Sequence, residues 1–173
     1  MATTYNGISI EMKHFNQIRR YVPRISEMDQ RTLDILIEMG ALQVSTLLEL
    51  AIANVGDLDV ISADAHDLSD GSEVKMATVR THRRGTSCGA MISNTKNKTG
   101  LIRAQVMEPT TEKFYYFTIP YDAHSKITGA SNIDIPFHLD GTPRKDYKPK
   151  ILPNWWKFEV ESFERMCEVS NLR

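Results

Sequence analysis

Glu73-Val74-Lys75 sets a carboxylate and an ammonium two residues apart in a stretch of strand-like pattern. On an extended strand, residues i and i+2 point to the same face, so both groups can meet one bound metal ion and one scissile phosphate. Upstream stand Asp64, Asp67 and Asp70, at nine, six and three residues before Glu73. A phosphodiester repels an incoming hydroxide, and its developing charge must be stabilised. Hard carboxylate oxygens suit that task, because they hold Mg²⁺ or a substituting Mn²⁺ octahedrally with waters in the remaining positions. Acting as a base would require Lys75 to titrate well below the ordinary value of about 10.4, and adjacent carboxylates push the other way. Its expected role is therefore positioning and charge stabilisation.

The charge distribution agrees with a polyanionic substrate. From Glu27 to Glu73 there are eleven Asp and Glu against the single Arg31, whereas Val74 to Met107 holds seven Lys and Arg and no acid, within a net charge of −1. Acidic and basic territories meet at Glu73 and Lys75, as cleaving DNA demands: carboxylates hold a cation while basic groups neutralise flanking phosphates. Arg80, His82, Arg83 and Arg84 follow the strand directly and are candidate phosphate contacts; the polar loop Asn94-Thr95-Lys96-Asn97-Lys98 offers Lys96 and Lys98 for a groove. Each feature also has a plainer reading. Glu73 and Lys75 could form an ordinary ion pair, the loop could be merely solvated, and His66 between two acids is more often a solvated side chain than a ligand.

These groups must be positioned by a single domain, since 173 residues at 41% hydrophobic suffice for one core. Ser26 and Asp29 resemble a helix cap, followed by Leu33, Leu36 and Ile37 at helical spacing, with an end near Met39. A second helix is expected from Val44 to Val55, stopping at Gly56. Leu58 to Ala63 and Ser72 to Val79 are predicted to form an antiparallel hairpin around the turn-rich segment from Asp64 to Gly71. Leu101 to Met107 and Phe114 to Pro120 form a second strand pair, and Trp155 to Cys167 a closing helix. The expected fold class is mixed α/β (α+β), a central mixed β-sheet flanked by helices. Its N-terminal helices span about 27–55, the catalytic sheet about 57–120, and a basic segment and helix about 140–170. Trp155 and Trp156 are expected in the core or an interface.

Leu47-Leu48-Glu49, then Asp67, then Glu73-Val74-Lys75 resembles the helix acid, hairpin acid and ExK of the PD-(D/E)xK nucleases, which include type II restriction enzymes and mismatch-repair nicking nucleases. The resemblance covers roughly residues 47 to 79 and implies a restriction-endonuclease-like fold. It further implies a Mg²⁺-dependent endonuclease in which Asp67 and Glu73 bind metal, Lys75 assists the attacking water and Glu49 completes the catalytic set. No Pro precedes the candidate Asp, and Asp64 is the alternative ligand; Asp70, beside Gly71, is more simply a turn residue. Glu49 fits equally a buried carboxylate or the exposed edge of an amphipathic helix. Double-strand cutting by so short a chain calls for a homodimer or two successive nicks.

No phosphate-binding P-loop, dinucleotide fingerprint, nucleophile elbow or HExxH motif occurs. No apolar run is long enough to span a membrane, and the N-terminus lacks the regions of a signal peptide, so no membrane partner and a cytoplasmic location are expected. Cys88 and Cys167 are expected as reduced thiols. The competing class is a non-catalytic DNA-binding or interaction protein that uses the basic segment 74–107.

Overall fold

The computed structural model describes residues 2–5, 8–11, 44–63, 66–93, 95, 98–125, 132–150 and 152–168. They fall into two compact units, Met1–Val60 and Ile61–Arg173. The first predicted helix, ending near Met39, lies outside the described residues.

In the first unit, β1 (Ala2–Tyr5) pairs antiparallel with β2 (Ile8–Glu11), and α1 spans Val44–Gly56. One face of α1 buries Leu48, Ala51 and Ile52, at helical spacing, while Asn54 and Val55 are exposed. The helix runs one residue past its expected end. The left-handed residue that terminates it is Asp57 (φ +53°), and the Leu58 N–H returns to the Ala53 carbonyl at 2.9 Å. Aspartate tolerates that conformation better than most side chains, so Gly56 can remain helical.

The chain enters the second unit along β3 (Val60–Ala63), whose partner is β4 (His66–Leu68). This corrects the predicted hairpin: the segment assigned to a long turn contains a strand of its own. The following strand, β5 (Glu73–Thr78), instead pairs parallel with β8 (Ile102–Glu108). Leu68 is fully buried, and its apolar anchor explains why a stretch rich in turn residues is extended. A tight reversal then carries β4 into β5. Asp70 Oδ1 accepts from the Ser72 N–H (3.0 Å) and hydroxyl (2.6 Å), and Gly71 takes φ +82°.

β8 pairs antiparallel with β9 (Lys113–Ile119), as the sequence pattern predicts, and β9 with the short β11 (Glu159–Val160), giving the order β11-β9-β8-β5. A second sheet runs β10-β7-β6, from Ile133–Phe137, Cys88–Ile92 and Arg80–Thr81. The core lies between the inner faces of the two sheets: Ile102, Ala104, Val106, Phe117 and Ile119 meet Ala90, Ile92, Ile133, Ile135 and Phe137, with Trp155 and Trp156 closing one side. The fold is mixed α+β and dominated by strands, with one helix of seven or more residues among those described.

The tail departs from the predicted closing helix. Trp155–Phe158 is a 3-10 turn capped by Asn154, Glu159–Val160 adds to the edge of β9, and only Phe163–Glu168 (α3) is α-helical; Tyr121–His124 (α2) is a single earlier turn. Burying both indoles, with Trp156 Nε1 donating to the Pro136 carbonyl at 2.7 Å, places the next backbone groups against an open sheet edge, where a ladder replaces helix bonds.

On the face of β8 opposite that core, Arg103 is 1% exposed. It donates to the Met166 carbonyl (3.0 Å), to Asp70 Oδ2 (2.9 Å) and to the Ser72 hydroxyl, so a buried guanidinium ties α3 and the β4–β5 reversal to the central strand. Removing one partner of such a pair leaves charge behind in a dry place. Asp70→Ala is expected to cost about 3 kcal/mol in urea denaturation, and adding Arg103→Met should recover part of that loss.

Candidate functional site

The parallel register sets Glu73 beside Ile102 and Lys75 beside Ala104, and the Glu73 N–H bonds the Leu101 carbonyl at 2.9 Å. Strand alternation turns both side chains toward the inter-sheet face, at the first residues of β5. The small Ala104 leaves room for the lysine stem. Glu73 is thereby carried into the interior, at 3% exposure.

Two ammonium groups compensate for that burial. Lys75 Nζ and Lys98 Nζ each lie 2.8 Å from the same oxygen, Glu73 Oε1. Glu73 Oε2 is buried with no hydrogen-bond partner. Lys98 comes from the connection between β7 and β8, which is pinned nearby: buried His124 Nε2 sits 2.8 Å from the Gly100 carbonyl. Burial pushes the His124 imidazole down, against the opposing effect of that bond, which suits a neutral ring donating its N–H.

Asp67 completes the cluster from β4. Its Oδ2 accepts the Val74 N–H at 2.9 Å, which places the carboxylate against the first residues of β5. Burial raises the Asp67 pKa most, and the negative charge of Glu73 raises it further, against the Val74 bond, Lys75 and Lys98. The same five influences show that Asp67, Glu73, Lys75 and Lys98 share one electrostatic neighbourhood. Asp70 titrates the other way: burial raises it, but the Ser72 bonds and Arg103 outweigh burial and hold it low.

The structure thus brings together four of the residues read from the sequence, Asp67, Glu73, Lys75 and Lys98. Lys98, expected as a DNA groove contact, is mostly buried against Glu73. Glu49 is half-buried on α1 in the first unit; Asp64 and Lys96 lie outside the described residues. Among the described residues no three His, Cys, Asp or Glu side chains gather as a metal site. Two carboxylates still fit Mg²⁺, which keeps several waters and is commonly held by one or two carboxylates; Glu73 Oε2 is an orphaned hard oxygen of the right kind. His66 has a buried, unpartnered Nδ1, but as the neighbour of Asp67 on β4 it faces the other way.

Arg80, Arg83 and Arg84 are exposed on the β6–β7 hairpin, whose turn is closed by His82 N–H to the Ser87 carbonyl (2.8 Å) and Gly85 at φ +70°. Arg80, Arg83 and His82 line a groove of about 480 Å³ that begins at Met76–Thr78, the downstream half of β5. No described helix is long and apolar enough to cross a membrane. The chain matches no protein-family model, no curated protein and no solved structure.

The opposite shifts of the two aspartates have opposite consequences for stability. Asp67, raised in the fold, binds its proton more tightly folded than unfolded, so its contribution is lost as pH rises from the ordinary carboxylate range through its folded value. Asp70, lowered in the fold, stabilises above that range and loses its contribution as pH falls through its folded value. Urea midpoints measured from acid to neutral pH should flatten in opposite senses in Asp67→Asn and Asp70→Asn. Matching slopes in the two variants would contradict the environments described.

Proposed function

We propose that the protein is a Mg²⁺-dependent DNA endonuclease with a restriction-endonuclease-like arrangement of the PD-(D/E)xK type. The observation that carries this reading is the buried Glu73, whose one oxygen is shared by two lysines while the other is unpartnered beside Asp67. A parallel strand pair in a mixed sheet, with the carboxylates at its start, is in keeping with the resemblance of residues 47 to 79.

On this reading Asp67 and Glu73 would hold Mg²⁺, with Mn²⁺ as substitute. When bound, the cation supplies Lewis-acid stabilisation of the scissile phosphate and an acidified water. Glu73 fixes Lys75 by their ion pair, so the ammonium is already oriented and need not lose rotamer freedom during reaction. Lys75 then orients the attacking water or stabilises charge on the phosphate. Lys98 holds the same carboxylate oxygen from the opposite chain segment, leaving Oε2 for the cation. The exposed Arg80, Arg83 and Arg84 neutralise flanking phosphates of a duplex. A homodimer would give two sites for two strands.

The second reading, a non-catalytic DNA-binding protein, is favoured by the exposed arginines alone. Supercoiled plasmid incubated with Mg²⁺, Mn²⁺ or EDTA separates the two. Cation-dependent cleavage is expected, reduced at least about a hundredfold in Glu73→Ala and in Lys75→Ala with DNA binding retained. Undiminished cutting by Glu73→Ala would remove the site assignment, and binding without cutting under every cation would favour the second reading. In Arg80→Ala and Arg83→Ala the affinity for DNA should fall, and the slope of log affinity against log salt should become shallower by about one for each phosphate the variant no longer neutralises.

A further inference from the structure

The outer face of the β10-β7-β6 sheet carries an arrangement that the cluster around Glu73 does not use. In the register Arg80↔Gly89↔Pro136, the middle strand presents a glycine between two occupied neighbours. A Cβ at Gly89 would lie 2.5 Å from Asp134 Oδ1 and 3.1 Å from His82 Nε2. The missing side chain lets β6 and β10 communicate over the top of β7. His82 Nε2 and Asp134 Oδ2 meet there at 3.3 Å. A glycine inside a strand marks close approach of this kind.

The pair forms one wall of a pocket of about 310 Å³ that extends toward Arg144, Tyr147 and the buried Trp155. The Arg144 guanidinium lies over the Tyr147 ring, 4.9 Å from its centroid. That wall is built and held: the Asn154 amide donates to the carbonyls of both Lys145 and Tyr147 at 2.8 Å, while Asn154 Oδ1 caps Trp156. A cavity at the small end of ligand sites therefore combines a carboxylate–imidazole pair, a half-exposed aromatic ring and a guanidinium.

These groups complement the parts of one chemical class. A guanidinium recognises phosphate, an aromatic face accepts a flat heterocycle, and an ionised carboxylate can only accept hydrogen bonds. We infer that this pocket binds a nucleotide and selects bases carrying an exocyclic amino group, cytosine foremost, over thymine. Asp134 Oδ2 lies 3.3 Å from His82 Nε2 and Oδ1 lies over Gly89, so the carboxylate, on the pocket wall, is the acceptor offered to a base. Cytosine offers it the N4 amino donor, the pairing made when a carboxylate reads cytosine. Thymine places a carbonyl oxygen at the same position, and two acceptors repel. The ligand is either a free nucleotide or a base turned out of a DNA strand, since both present the same edge and phosphate. The inference stands apart from the metal-dependent reading and uses none of its residues except His82, which the sequence assigned to phosphate.

The test is an NMR titration of the full-length ¹⁵N-labelled protein in EDTA, so that no cleavage intervenes. The probes are dCMP, dTMP, ribose 5-phosphate, and DNA hairpins with one unpaired cytosine or thymine. dCMP, or the cytosine hairpin, is expected to shift the His82 and Trp155 side-chain resonances and to bind about tenfold or more tightly than its thymine counterpart. Binding of dCMP identifies the free nucleotide as a source; binding of the cytosine hairpin alone identifies a base delivered from DNA. Asp134→Asn, at a position whose side chain is 49% exposed, should keep the folded spectrum and bring the cytosine-to-thymine ratio close to one. Gly89→Ala, which drives a methyl group between the paired side chains, should abolish binding as a second variant. The proposal is overturned by absence of binding for all probes, by equal affinity for cytosine and thymine, by ribose 5-phosphate binding as well as dCMP, or by a preference that survives Asp134→Asn.

Discussion

A carboxylate removed from water must meet positive charge at close range, and Glu73 meets two ammonium groups on one oxygen. The cost of burying such an ion is several kcal/mol after relaxation, which neither an ordinary strand residue nor the apolar core around it can offset. Much of the local architecture follows from that requirement. β5 must pair in a register that sets Lys75 over Ala104, and the connection between β7 and β8 must return Lys98 to the start of β5. His124 holds that connection through Gly100. A strand lysine and a loop lysine thereby converge on a single oxygen atom.

The β5–β8 pair also divides two charge systems that the sequence runs together. Along β5 and β8, alternate residues serve opposite faces: Glu73 and Lys75 go to the inter-sheet side, while Val74 pairs with Arg103 on the other. Asp67 and Asp70 are three residues apart, yet burial beside Glu73 raises one and the Ser72 bonds with Arg103 lower the other. Asp70 secures the reversal that delivers Asp67; Asp67 accepts the Val74 N–H at the beginning of β5. The structural aspartate and the candidate functional one thus depend on each other through a four-residue turn.

Side-chain chemistry at short spacing was the legible part. Glu73 and Lys75 share a face because alternation is a local property, and Asp70 beside Gly71 reads as a turn from that pair of residues alone. The β8–β9 hairpin was equally plain, since its two strands are apolar, close in sequence and separated by turn residues. Lys98 was legible only as a charge in a polar loop: its contact with Glu73 spans 25 residues and depends on a parallel register that no short pattern encodes. Parallel pairing is likewise why β5 was assigned the wrong partner. The hairpin rule favours the nearest strand in the chain, whereas β8 reaches β5 only after the β6–β7 excursion into the other sheet. The tail failed for a different reason. Its apolar spacing suits a helix, but two tryptophans that must both be buried impose a turn, and the open edge of β9 then captures the backbone.

The change of sheet between β5 and β6 links the two surfaces. The Val79 N–H still bonds the Met107 carbonyl of the first sheet at 2.9 Å, while Arg80, the next residue, pairs with Gly89 in the second. A residue such as Lys75, on the inner face of one sheet, is thereby joined by a short extended stretch to arginines on the outer face of the other. Five residues of strand span on the order of 16 Å, the length of several nucleotides of one strand at about 3.4 Å each along a duplex axis. On the proposed reading, the phosphate at Glu73 and Lys75 and the phosphates at the arginines would lie several nucleotides apart along one strand. The spacing between Lys75 and Arg80 is built into continuous backbone.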